Sequence, residues 1–152
     1  MKSGNKKSRK IKLEEMDGIA LDILKSINQN SSMADVIALS GELGAGKTTL
    51  SQTIGKNLGV KENMISPTFV IMKNYELPAG KKEYKWEKLI HIDAYRLDSS
   101  TELLNLGWEE LIKDNKNLII IEWPERVPTC IPENAHKIIL EHKSDGIRQI
   151  TF

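Results

Sequence analysis

At 152 residues the chain is one domain in size and long enough to bury a core without disulfide or metal staples. It is 39% hydrophobic and 28% charged, which excludes collagen-like and low-complexity classes, and no apolar run approaches the length of a membrane span. Cys130 is the single cysteine, so an internal disulfide framework is excluded and a reducing, cytoplasmic setting is expected.

The net charge of +1 hides an asymmetry. Residues 1–12 hold six basic residues (Lys2, Lys6, Lys7, Arg9, Lys10, Lys12) and no acid, leaving 16 basic against 21 acidic residues in the remainder. We therefore expect a basic N-terminal extension over 1–12, disordered up to about Arg9, and a single domain over 13–152. The extension lacks an apolar stretch, so it reads as no secretory signal. It can be a solvated tail whose removal leaves the fold unchanged, or it can contact RNA or an acidic surface.

From Leu13 to Asn28, apolar residues at Leu13, Met16, Ile19, Ala20, Ile23, Leu24 and Ile27 have the spacing of a helix with one buried face. Ala34 to Ser40 reads as a buried strand. It runs into Gly41-Glu42-Leu43-Gly44-Ala45-Gly46-Lys47-Thr48, a full match to the phosphate-binding loop G-x-x-x-x-G-K-[ST]. A helix is predicted from Lys47 to Leu58, closing on Gly59. Each residue type has a mechanical reason. Backbone N–H groups must wrap phosphate oxygens, and glycines leave that approach open. The helix N-terminus adds unpaired N–H groups and a favourable dipole. Lys47 supplies a point charge to the phosphates and is expected to pack against nothing apolar. The Thr48 hydroxyl is placed for Mg²⁺, and Thr49 for the first phosphate.

Downstream, Ser66-Pro67-Thr68 breaks the chain and Phe69 to Leu77 reads as a strand. Pro78 to Lys82 is a predicted turn, and Glu83 to Asp93 a strand that pairs back across it. Ser99 and Ser100 offer a cap for a short helix through Leu106. Gly107 ends that helix, and Trp108 to Lys113 gives a further turn or two. Leu118 to Ile121 is wholly apolar, as expected of a central parallel strand. His136 to His142 and Ile147 to Phe152 form a terminal hairpin across Asp145-Gly146. The predicted fold is α/β, resembling the phosphate-loop NTPases: a mainly parallel sheet with helices on both faces and antiparallel rim strands.

A phosphate loop alone hydrolyses nothing; it needs carboxylates for Mg²⁺ and an oriented water. Asp93 and Glu122 both end apolar strands, and in open α/β sheets ligands bind beyond the carboxyl ends of the strands. Both acids should therefore face the loop. Thr68 stands where NTPases place a switch that senses the terminal phosphate, although spacing alone favours a plain proline turn before a strand. Trp123 follows Glu122 and can lie beside the nucleotide or pack in the core. Absent motifs narrow the class. There is no Asn/Thr-Lys-x-Asp guanine-recognition element and no Leu-Ser-Gly-Gly-Gln signature. Beyond the extension there are only Arg96, Arg126 and Arg148, few for a nucleoside monophosphate kinase. His91, His136 and His142 sit in strands without metal-ligand spacing.

Four blocks now stand in order: the phosphate loop with Thr49, Ser66-Pro67-Thr68-Phe69, His91-Ile92-Asp93-Ala94-Tyr95-Arg96-Leu97, and Ile121-Glu122-Trp123-Pro124-Glu125-Arg126. Together they resemble the TsaE (YjeE) family, the small bacterial ATPase of tRNA threonylcarbamoyladenosine biosynthesis, over roughly Leu13 to Phe152. The resemblance implies ATP on Gly44, Ala45, Gly46, Lys47, Thr48 and Thr49, with Mg²⁺ on Thr48 and Glu122. It implies Asp93 as a catalytic or metal-organising carboxylate, Thr68 in a switch loop, and Trp123 beside the nucleotide. It also implies the partners TsaD and TsaB, and tRNA through that complex, with no membrane involved. The competing functions are a small-molecule kinase, for which Asp93 could serve as base, and a nucleotide-gated binding module with negligible turnover.

Overall fold

The computed structural model describes residues 6–79 and 83–152. Lys2 of the basic extension, and Gly80, Lys81 and Lys82 of the predicted turn, lie outside the described residues. Among the described residues there are seven strands: β1 (Ser8–Lys12), β2 (Asp35–Ser40), β3 (Met72–Glu76), β4 (Lys88–Asp93), β5 (Asn117–Glu122), β6 (His136–Ser144) and β7 (Ile147–Thr151). Four α-helices join them: α1 (Met16–Ser26), α2 (Lys47–Asn57), α3 (Ser100–Leu104) and α4 (Trp108–Lys113). The strands form one sheet in the order β1-β7-β6-β2-β5-β4-β3. The central strands β6, β2, β5 and β4 run parallel to one another. At the two rims, β3 and β7 pair antiparallel. The predicted fold class is the observed one.

Strand parity explains both faces. Ile37 and Leu39 of β2, Leu89 of β4, and Leu118 and Ile120 of β5 share one buried cluster with α1 and α2. Their alternates, Val36, Ala38, Ile90, Ile92, Ile119 and Ile121, share another with Leu103 of α3 and Trp108 of α4. A strand covered on both faces has no polar side, so β5 reads as an unbroken apolar run. Leu118 to Ile121 are fully buried, and each such side chain contributes about 1.5–3 kcal/mol relative to exposure.

Three elements differ from expectation. Ser8–Lys12 is not part of a disordered extension; it is an edge strand paired with β7, in register from Ser8 with Thr151 to Lys12 with Ile147. Its one core-facing side chain is Ile11, 2% exposed, while its basic residues face water. The strand expected from Phe69 begins at Met72. The N–H groups of Val70 and Ile71 both bond the Pro67 carbonyl, which closes a turn there. Ile71 is left-handed at φ 68°, rare for a β-branched residue. The strand expected from Glu83 begins at Lys88. The segment before it is tied to β2 by Trp86, whose indole N–H donates to buried Asp35 at 2.8 Å, with the Lys85 ammonium 3.4 Å from the same carboxylate oxygen. Among the described residues, no helix is long and apolar enough to cross a membrane.

Candidate functional site

The parallel strands end together at one edge of the sheet, and the loop from Gly41 to Gly46 lies there between β2 and α2. Gly46 caps α2 in the left-handed conformation, φ 104°, which a side chain rarely adopts. Gly41 passes so close to β6 that an added Cβ would collide with the Leu140 carbonyl. The result is a backbone cradle at a helix N-terminus, a geometry suited to anions.

Asp93 and Glu122 end adjacent strands and face each other in register. Each is almost fully buried, at 6% and 2% exposure. The Thr48 hydroxyl, at the start of α2, donates to Glu122 Oε1 at 3.0 Å. The Thr68 hydroxyl donates to Asp93 Oδ2 at 3.0 Å, and the Tyr95 N–H donates to Asp93 Oδ1 at 3.0 Å. Gly44, Gly46, Lys47, Thr48, Thr49, Thr68, Asp93, Glu122 and Trp123 all line one cleft of about 360 Å³. Ala45 does not; it is buried beneath the loop in the core cluster with α1 and α2.

Lys47 departs from expectation. It is 5% exposed, and its ammonium donates to the carbonyls of Gly41 and Glu42. It also sits 4.4 Å from the centroid of the Trp123 ring, so it does pack against an apolar surface. The ammonium has three donors, and loop carbonyls and a π face hold them inside a crowded site. Burial pushes its pKa below the ordinary lysine value, while the charges of Glu122, Asp93 and Glu125 pull it back up.

Trp123 has two settings at once. Its ring borders the cleft, and it also packs against the α3–α4 core cluster and against Tyr95 at 5.0 Å between ring centroids. A left-handed backbone, φ 60°, lets its N–H reach the Leu39 carbonyl and turns the chain sharply after β5. Thr68 likewise sits in a proline turn while touching Asp93. The Ser66 hydroxyl lies 2.6 Å from that of Thr68, so the turn is tied to the carboxylate through a short hydroxyl chain.

Several contributors were not read from the sequence. Leu13 and Met16 line the cleft from the α1 side, and Gly146 and Arg148 from the terminal hairpin. Arg148 Nη2 lies 3.4 Å from the Gly44 carbonyl. No motif marks these positions; the fold of β7 beside the loop brings them in. His91 is the other omission. It is fully buried, with Nε2 2.5 Å from Glu122 Oε2.

The donor set of Thr48, Glu122 and Asp93 consists of hard oxygens, which fits Mg²⁺. Among the described residues, no cluster of three or more His, Cys, Asp or Glu could hold an ion unaided. Mg²⁺ is typically held by one or two carboxylates and completes its shell with substrate phosphates and water.

The family model described as threonylcarbamoyl adenosine biosynthesis protein TsaE matches residues 12–150 of the chain. The tRNA threonylcarbamoyladenosine biosynthesis protein TsaE of Bacillus subtilis (strain 168) is 33% identical over 121 residues, covering 78% of this chain and 68% of the relative. The protein of the same name from Nostoc sp. is 36% identical over 126 residues, covering 81% and 72%. Among solved structures, the crystal structure of Bacillus subtilis YdiB matches with a TM-score of 0.71 and 26% identity, covering 97% of this chain and 84% of that one.

Proposed function

The chain belongs to the TsaE family, and on that footing we propose that it is a magnesium-dependent ATPase. Its hydrolysis supports threonylcarbamoyl modification of adenosine in tRNA, through action on an assembly of TsaD and TsaB in the cytoplasm. The observation that carries this reading is the Thr48–Glu122 hydrogen bond in a cleft shared with Asp93 and the phosphate loop. It unites a phosphate cradle and a hard-oxygen donor set in one site.

In this reading the N–H groups of Gly44, Gly46, Lys47, Thr48 and Thr49 and the Lys47 ammonium bind the phosphates. Lys47 must then exchange the carbonyls of Gly41 and Glu42 for phosphate oxygens. Thr48, Glu122 and Asp93 would hold Mg²⁺, which would supply positive charge against the charge developing on the transferred phosphoryl group. Asp93 holds Thr68, so the proline turn reports on the state of the carboxylates. Trp123 walls the cleft and limits water. The kinase alternative has less support: both Asp93 oxygens already accept hydrogen bonds, from Thr68 and Tyr95, which suits a fixed carboxylate better than a free base.

The test is phosphate release from Mg-ATP by the chain alone, then with TsaD, TsaB and tRNA. Free phosphate, no phosphorylated acceptor, and a rate raised by the partners are expected. A phosphorylated small molecule, or no turnover in the complete assembly, would overturn the proposal.

A further inference from the structure

His91 is costly where it stands. On β4 it shares parity with Leu89 and Asp93, so it points towards the face that α1 and α2 cover. It pairs in register with Ile120, flanked by Leu118 and Glu122 on the same face of β5. An apolar side chain would suit that layer, and an imidazole is tolerated there only if hydrogen-bonded. The bond it makes is diagonal across the two strands, Nε2 to Glu122 Oε2 at 2.5 Å. Side chains in this diagonal relation are within reach when one is long or aromatic. A carboxylate can only accept, so Nε2 carries the proton. Nδ1 has no partner. The ring's hydrogen bonding is thus directed at Glu122 alone.

Glu122 is gripped from two sides. Thr48 reaches Oε1 from α2, and His91 reaches Oε2 from β4. A glutamate with one partner can still turn about its last torsion, whereas one with a partner on each oxygen cannot. Carboxylates that ligate metals depend on such outer partners for their orientation.

The geometry points to His91 as a positioning residue: it locks the Glu122 carboxylate so that the oxygen beside Thr48 stays presented to the magnesium site. This rests on the reading of Glu122 as a magnesium ligand.

The test uses the full chain with His91→Leu and His91→Gln. Glutamine carries an amide N–H at about the reach of Nε2; leucine fills space without a donor. ATP binding is measured by calorimetry in chelator and across a Mg²⁺ titration. His91→Leu should leave metal-free ATP affinity unchanged and raise the Mg²⁺ concentration needed by about 10–100-fold, the usual loss when an outer partner of a ligand is removed. His91→Gln should restore the parental requirement. The inference is overturned if His91→Leu keeps the parental Mg²⁺ requirement, if His91→Gln loses as much as His91→Leu, or if ATP affinity falls equally with and without Mg²⁺. Should the leucine variant fail to fold, His91→Met, flexible and equally donor-free, is read by the same outcomes. If ATP binding by the parental protein is indifferent to Mg²⁺, the reading of Glu122 as a ligand fails first and this inference falls with it. Magnesium-dependent binding that His91→Leu does not alter sinks the inference alone.

Discussion

On the proposed function, Glu122→Gln should separate catalysis from folding. Glutamine has the shape of glutamate, and at 2% exposure shape decides whether the neighbours move. The two oxygens of Glu122 face the Thr48 hydroxyl and His91 Nε2. An amide can meet both. Its oxygen accepts from His91, and its NH₂ donates to the Thr48 oxygen, which has lone pairs to spare. No buried polar atom is stranded. The variant gives up two charge-assisted hydrogen bonds of about 1.5–3 kcal/mol each. It also no longer buries a carboxylate, whose desolvation costs several kcal/mol. These terms oppose, so the net change in stability should stay within about 2 kcal/mol. The reaction has no such compensation. Removing one preorganised charge costs about 2.7–4 kcal/mol of barrier, or roughly 10²–10³-fold in rate. The assay is phosphate release from Mg-ATP, alongside calorimetry and a thermal melt. The expected variant melts near the parental temperature, binds ATP, and hydrolyses it at least ~10²-fold more slowly. A folded variant that binds ATP and hydrolyses it at the parental rate would refute the placement of the metal site on β5.

Three further outcomes are expected. Lys47→Ala should abolish productive ATP binding in calorimetry while the protein stays folded, because the ammonium rests on loop carbonyls and the Trp123 face, outside the two core clusters; unchanged affinity would oppose this. With Trp86→Phe and Trp108→Phe in place, Trp123 fluorescence should change saturably with Mg-ATP as Lys47 leaves its ring; loss of the Trp86–Asp35 bond will lower the melting temperature without touching the cleft, and a flat titration under binding conditions counts against Trp123 as a cleft wall. Deleting residues 1–10 removes the pairs of Ser8, Arg9 and Lys10 with β7 and loosens Ile11, so it should cost roughly 2 kcal/mol, or about 4–8 °C in Tm for a chain of this size; an unchanged melt would mean that β1 adds nothing to the fold.

The phosphate loop, α2 and β5 were legible because their determinants are local. Glycine spacing, the Lys-Thr pair and an apolar run of strand length act within a dozen residues, and neighbouring segments do not contradict them. The strand-end positions of Asp93 and Glu122 were legible for the same reason, and so was their convergence, since parallel strands present their ends on one side. Other features arise only when distant segments meet. β1 has a single apolar side chain facing the core, and its partner β7 lies some 140 residues on, so no local pattern marks it as a strand. The edge of a sheet is stabilised by backbone pairing, to which side-chain periodicity is nearly blind. His91 looked like any strand histidine until the β4–β5 register set it diagonal to Glu122, and a slip of one residue would have sent it to the other face. Arg148 borders the phosphate loop solely because β7 folds back along β6. Lys47 carries its motif in the chain, but where its charge rests depends on Trp123, which a left-handed turn after β5 swings over the loop. Local propensity is summed over a few residues and can be read from them; register and side-chain contact depend on how sheet, turns and loop close together in space.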